Sequence, residues 1–416
     1  MRFIADFHLH SRYSRATSRE MRVEILAQWA AIKGIGLLGT GDFTHPTYFA
    51  ELKSLLKPGG NGLFLLKEGE KKVHFILTAE VSNIFNQDGR LRKIHTLIFA
   101  PGFEAVEKIN HQLGSRGKLG SDGRPTFGFP VKDLVKIIMD ISPECFIVPA
   151  HAWTPWFSLF GANSGFDSME ECFGEQARYI QAVETGLSSD PEMNWRVSAL
   201  DRIALISNSD AHSPDRIGRE ANVFNCGLDY QEIVGAIKKR DREKFLSTIE
   251  FFPEEGKYHY DGHRNCNVLF SPQQTRDNDG VCPVCKRKVT VGVMNRVEAL
   301  ADRPPDYQPP DAIPSRHLIP LAEIIAEALG QGVNTKAVDE QYRRLIQQLG
   351  PEFTILLELP REELAKDTPP RILEGIMRVR DGKVRITPGY DGVFGKIKIF
   401  EEEGKGEEKS EQMKLF

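Results

Sequence analysis

No run of about 18 consecutive apolar residues occurs in this chain, which leaves no candidate for a membrane-spanning helix. No basic leader with an apolar stretch precedes the first strand-like segment, so the expectation is a cytoplasmic protein. Cysteine is scarce, six in 416 residues, which excludes a disulfide framework and leaves metal or core roles. Positive charge is not in excess. The 54 Lys and Arg face 58 Asp and Glu for a net charge of −4, which excludes a globally basic nucleic-acid binder but not a local basic face. No internal repeat is present, which removes solenoids and propellers. What remains is a globular composition long enough for two or three domains.

Residues 1–252 alternate short apolar runs with amphipathic segments. Candidate strands fall at 3–8, 36–42, 74–81, 94–100, 145–150, 180–184 and 203–207, and helix-like patterns at 21–33, 104–113, 131–141, 169–179 and 190–200. Apolar strands alternating with helices predict a parallel sheet covered on both faces or closed into a barrel. In such folds the carboxyl edge of the strands carries the chemistry. Residues 253–300 are polar and turn-rich. The Pro-rich stretch 303–314 reads as a linker within 301–400, a mainly helical unit with helices at 318–329, 338–349 and 361–379 and a hairpin at 383–400. Residues 401–416 predict a disordered charged tail.

The strand ends deliver metal-binding side chains. His8 and His10, spaced i, i+2, project to one side of the first strand. The second ends in Asp42 and His45, the third gives Glu80, the fourth His95, the fifth His151, and the seventh Asp210 and His212. These are nine candidates, too many for one ion of about four to six donors. Mixed imidazole and carboxylate donors suit Zn, Mn or Fe better than Mg alone. Closely spaced ions clamp the attacking and leaving oxygens of a phosphoryl displacement, so metal-assisted phosphoester hydrolysis is the expected reaction class.

Two pairs, His263 with Cys266 and Cys282 with Cys285, have the spacing of a zinc ribbon holding one structural Zn, with His259 a competitor for His263. Cys145, Cys172 and Cys226 sit in apolar contexts and are expected in the core. Basic residues Lys286, Arg287 and Lys288 follow the ribbon, and Arg12, Arg15, Arg116, Lys118 and Arg124 lie in loops expected near the metals. Both groups are candidates for phosphate-backbone contact. Trp153, Trp156 and Phe157 follow His151 and are read either as core or as surfaces that stack on an extruded base.

His-x-His, Thr-Gly-Asp, a lone Glu, two isolated His and a final Asp-x-His together resemble the polymerase and histidinol phosphatase (PHP) superfamily. That resemblance implies a distorted seven-stranded β/α barrel with two or three divalent metals (Zn, Mn or Mg). By it, His8, His10, Glu80 and Asp210 hold one ion, Glu80, His95 and His151 a second, and His212 helps hold a third. It also makes Asp210, His8, His10, Glu80 and His151 the catalytic set. Many members have His after the strand-two Asp, whereas this chain has Phe43, leaving His45 or Asp42 as the replacement. The ribbon, the helical unit and the strings at 14–18, 120–125 and 389–400 resemble the endonuclease Q family. This resemblance implies a DNA-repair nuclease that nicks 5′ of uracil, hypoxanthine, xanthine or an abasic site. Gln412, Leu415 and Phe416 resemble a peptide that docks on the bacterial β sliding clamp, so damaged DNA and that clamp are the expected partners. A small-molecule phosphatase or a clamp-tethered DNA-binding scaffold is the alternative.

Overall fold

The structure is a computed structural model that describes residues 1–70 and 72–400; the clamp-like residues Gln412, Leu415 and Phe416 lie outside them. The fold is mixed α/β. Strand β1 (Arg2–Asp6) runs parallel to β2 (Leu37–Gly39), and β2 parallel to β3 (His74–Gln87). From β3 the chain doubles back as β4 (Arg90–Ala100), which pairs antiparallel with β5 (Phe146–Pro149). Then β6 (Ala182–Glu184) and β7 (Ala204–Ile206) pair in parallel. The Ala152 amide bonds the Glu184 carbonyl at 2.9 Å, and the His10 amide bonds the Ala211 carbonyl at 3.0 Å. These contacts link β5 to β6 and the end of β7 to the end of β1, so the seven strands form a closed circuit.

The antiparallel β3–β4 pair departs from the all-parallel expectation. Its turn is Asp88-Gly89, with φ of 52° and 73°, the left-handed pair that a tight hairpin requires and that Asp-Gly supplies at little strain. Two further strands, β8 (Ala221–Asn225) and β9 (Phe245–Glu250), extend the sheet antiparallel beyond β1. Strand β10 (Ser315–His317), from the stretch assigned to the helical unit, adds in parallel to β9.

Ile76, Leu97, Phe99, Ala182 and Ile206 share one apolar core. Glu80, His95, Glu184 and Asn208 continue those strand faces at period two, so the floor that buries the apolar residues also carries the polar ones. Cys145, Cys172 and Cys226 are buried. The C-terminal part holds helices Leu321–Leu329, Lys336–Leu349, Arg361–Asp367 and Pro370–Arg380, then a hairpin of Arg385–Thr387 with Lys396–Lys398. Its turn grips the segment 253–300: Asp391 accepts from the Arg264 amide at 2.7 Å and from the Thr290 hydroxyl at 2.6 Å. Among the described residues no helix is long and apolar enough to cross a membrane.

Candidate metal centre

Two triads of donors meet beneath the rim of the circuit. In the first, His8, His10 and Asp210 present donor atoms within 4.8 Å of one another. His8 Nε2, His10 Nε2 and Asp210 Oδ1 are buried and make no hydrogen bond. They nevertheless converge, with His10 Nε2 at 3.1 Å and His8 Nε2 at 3.6 Å from Asp210 Oδ1. Donors on one ion at about 2.1 Å stand roughly 3.0–3.4 Å apart, so buried atoms lacking hydrogen bonds at this spacing fit a shared cation. In the second triad, Glu80 Oε1 lies 2.8 Å from His95 Nδ1 and 3.1 Å from His151 Nε2. Glu80 joins the two: its Oε2 lies 3.3 Å from His10 Nε2 and 3.5 Å from His8 Nε2.

Carboxylates outside the triads set the imidazole orientations. His8 Nδ1 donates to both oxygens of Glu184 at 3.0 Å, which turns Nε2 inward. Glu184 also accepts from the His151 amide at 2.8 Å and from the Asn208 side chain at 2.8 Å. Glu184 and Asn208 are absent from the residues singled out in the sequence, although each extends a strand face in step with a floor residue. His151 has φ 32° and Asp210 φ 46°, left-handed values that strain both at the site. Gly186 packs under His151, where an added Cβ would stand 2.6 Å from the His151 Cβ.

Burial opposes protonation of His8, but Glu184, Glu80 and Asp210 outweigh it and raise its pKa well above normal. His10 is raised in the same way, against burial, by Asp42, Asp210 and Glu80. Burial would raise Asp210, yet His8 and His10 hold it far below the usual carboxylate range. At His95 burial wins over Glu80, and the pKa falls to about 4, leaving a neutral imidazole suited to metal ligation.

Asp42 and His45 do not join either triad. Asp42 Oδ1 accepts from His10 Nδ1 at 3.0 Å, and Oδ2 accepts from the Ser11 amide and the Ser11 and Ser14 hydroxyls. Asp42 thus orients His10, as Glu184 orients His8. His45 caps the helix Pro46–Leu55, accepting from the Tyr48 amide, and stacks on Tyr13 at 4.5 Å. The Pro at the first helical position explains that use of His45. His212 stands at the rim, its ring 4.5 Å from that of His10 and its Nδ1 donating to the Asp210 carbonyl at 2.9 Å.

The expected DNA-contacting residues divide. Arg124 reaches the centre, 2.9 Å from Glu80 Oε2, and is partly exposed beside Asp210, whose side chain is 26% exposed and marks the open side. Arg15 is 83% exposed beside Asp122, Arg12 pairs with Glu51, and Arg116 and Lys118 are exposed. Trp153 is a correction to the stacking reading: it is fully buried, packs on Phe160 and donates Nε1–H to Asn194 at 2.7 Å. A buried indole needs a partner for its N–H, and Asn194 supplies it. Phe157 packs on His95 at 4.7 Å, and Trp156 is 43% exposed against Tyr258.

Away from this centre, His263, Cys266, Cys282 and Cys285 come within 4.8 Å of one another; His259 is not among them. Cys285 Sγ lies 3.7 Å from His263 Nδ1, close to the spacing of two donors on one tetrahedral Zn. Lys286, Arg287 and Lys288 extend from the cluster into solvent.

Residues 320–383 match the family described as the MJ0043 C-terminal domain. The uncharacterized protein MJ0043 of Methanocaldococcus jannaschii is 34% identical over 258 residues, 59% of this chain; the match spans 31% of that longer relative. The lesion-specific endonuclease PfuEndoQ of Pyrococcus furiosus is similar at 34% identity and a TM-score of 0.86, covering 97% of this chain and 96% of the other. An endonuclease Q complex with a 27-mer duplex carrying an abasic lesion at the active site is similar at 34% identity and a TM-score of 0.84, covering 97% of this chain and 98% of the other.

Proposed function

The chain belongs to the endonuclease Q family, and from that premise we propose that it is a DNA-repair endonuclease that hydrolyses the phosphodiester 5′ of a deaminated base or abasic site. We read the strand circuit as the distorted PHP-type barrel, the Cys/His cluster as a zinc ribbon, and 301–400 as the helical unit. The observation that carries the reading is Glu80, one carboxylate oxygen turned to each triad.

His8, His10 and Asp210 would hold one divalent cation, and Glu80, His95 and His151 a second. Such ions would supply Lewis acidity and an activated water for in-line displacement at phosphorus. The protein's own part is orientation. Glu184 and Asp42 fix the imidazoles, and Arg124 offers a guanidinium to a phosphate oxygen at the open side. Arg12, Arg15, Arg116 and Lys118, with Lys286, Arg287 and Lys288, supply backbone contacts. Phe157 lies against His95 of the centre, and the exposed Trp156 precedes it in the chain; these rings would stack on an extruded base, and a deaminated base costs less to extrude than a well-paired one. Gln412, Leu415 and Phe416 would tether the enzyme to a sliding clamp in the cytoplasm, beside the nucleoid.

The test is a panel of duplexes with one uracil, hypoxanthine, xanthine or abasic site, given Mg or Mn, with wild type and Asp210→Ala. The expected result is a single nick 5′ of the lesion by wild type alone. Intact strands with every ion would reject the assignment, and turnover of phosphomonoesters with indifference to DNA would favour a phosphatase.

A further inference from the structure

A further group of donors, unused by the chemistry above, lies where the loop and short helix after β6 meet β10. Asp190, Glu192 and His317 present donor atoms within 4.8 Å of one another. Asp190 caps the short helix Pro191–Trp195 through Oδ1, which accepts from the Met193 amide at 2.8 Å, and Oδ2 lies 3.3 Å from His317 Nε2. Glu192 Oε1 accepts from the Ser315 hydroxyl at 2.7 Å, while its Oε2 is buried and makes no hydrogen bond. Strand β10 supplies both Ser315 and His317.

The surroundings add an independent sign. His259 is only 5% exposed, interacts electrostatically with Asp190, and has an Nδ1 that makes no hydrogen bond. Glu250 is fully buried, stands opposite His317 in the β9–β10 register, and also has an oxygen without a hydrogen bond. Leaving a buried polar atom unsatisfied forfeits its hydration without a replacement and is destabilising. Here three residues around one ion pair do so, and the carboxylates of Asp190, Glu192 and Glu250 outnumber the one paired imidazole. A cation would relieve both deficits. The 3.3 Å separation of Asp190 from His317 matches two donors on one ion, and His317, a quarter exposed, leaves an entry from solvent.

We propose that Asp190, Glu192 and His317 form a further metal site, separate from the Glu80 centre and the Cys/His cluster, that takes one divalent ion of the Mn or Zn class. Two carboxylates and one imidazole favour these ions over Mg. His259 and Glu250 flank the site and limit its approach to one side. The ion ties the loop after β6 to β10, so its role is to fix these two parts of the chain to each other. This inference does not depend on what the Glu80 centre hydrolyses.

The test counts Mn2+ bound by the full-length protein, by EPR titration of free Mn2+, in wild type, Glu192→Gln and His317→Gln. Each variant is expected to bind one Mn2+ fewer than wild type and to lose part of the rise in melting temperature on Mn2+ addition. Equal Mn2+ counts in all three would overturn the site. Because a substitution can disturb folding, wild-type crystals soaked in Mn2+ give a second readout. An anomalous peak between Asp190 and His317 supports the site, and a peak at Glu80 with none there rejects it. Neither readout involves nicking, so a protein inactive on lesion DNA would leave this proposal standing.

Discussion

Glu184 receives the Nδ1–H of His8 on both carboxylate oxygens, each at 3.0 Å. That contact selects the tautomer of His8 and leaves Nε2 free for a cation. A Gln at 184 keeps the shape but removes the charge and puts an amide donor against the imidazole. Glu184→Gln is expected to weaken metal retention at the first triad by about 10–100-fold, measured as metal remaining after dialysis against graded chelator. Retention equal to wild type would mean that the contact only packs the ring.

Glu80 stands between the triads, so its loss and that of His95 should differ in kind. His95→Ala is expected to lose the second ion and keep the first. Glu80→Gln is expected to lower occupancy of both, because each triad loses its share of one charge. Nicking by Glu80→Gln should fall by about 10²–10³-fold or more, the usual cost of removing one charge-stabilising group. Elemental analysis that finds the same stoichiometry in both variants would contradict the bridging role.

Asp42 and His45 provide a third comparison. Asp42→Ala leaves His10 Nδ1 and the Ser11 and Ser14 donors without their acceptor, at about 1–3 kcal/mol for a buried unsatisfied group. His45→Ala removes a helix cap worth about 1 kcal/mol. Metal content should drop in the first and stay at the wild-type value in the second. A loss of metal in His45→Ala would return His45 to the centre.

The meeting of His8, His10, Glu80, His95, His151 and Asp210 was legible because each lies on an apolar strand or within four residues past its end, so that all gather at one rim. The Cys/His cluster was legible from ligand spacing alone. Other features were not, for identifiable reasons. Strands buried on both faces read alike whether parallel or antiparallel, so the Asp88-Gly89 hairpin had to be read from its turn residues instead. Glu184 was passed over because a single carboxylate at a strand end does not reveal whether it will touch a metal or a histidine. Four aromatics in eight residues do not say which ring turns inward, and Trp153 does so only because Asn194, forty-one positions later, accepts its N–H.

The two indoles therefore make separate predictions. Trp153→Ala empties a fully buried site and should destabilise the fold by about 3–5 kcal/mol, read from denaturant unfolding. Trp156→Ala should leave unfolding within about 0.5 kcal/mol of wild type. On duplex with an extruded base it should lose about 1–3 kcal/mol of binding, the worth of one stacked base. Unchanged affinity for lesion DNA in Trp156→Ala would remove the ring from the recognition surface.

Glu255 makes stability depend on pH with a definite sign. Burial, then Glu323, raise its pKa to about 7, against the pull of Arg216. The folded state thus binds the proton more tightly than the unfolded chain, whose Glu titrates at its ordinary value of 4.5. Stability from this group is complete below the unfolded value and is lost as pH rises through about 7. At pH 8 the ionised carboxylate costs the fold up to about 3 kcal/mol, the linkage equivalent of that shift. Glu255→Gln removes the ionisation while keeping the shape. It should match wild type in denaturant midpoint near pH 5 and exceed it at pH 8. Equal midpoints at both pH values would show that Glu255 is solvated well enough to ionise freely. A variant weaker at pH 8 would show that Arg216 holds the ionised form more strongly than burial opposes it.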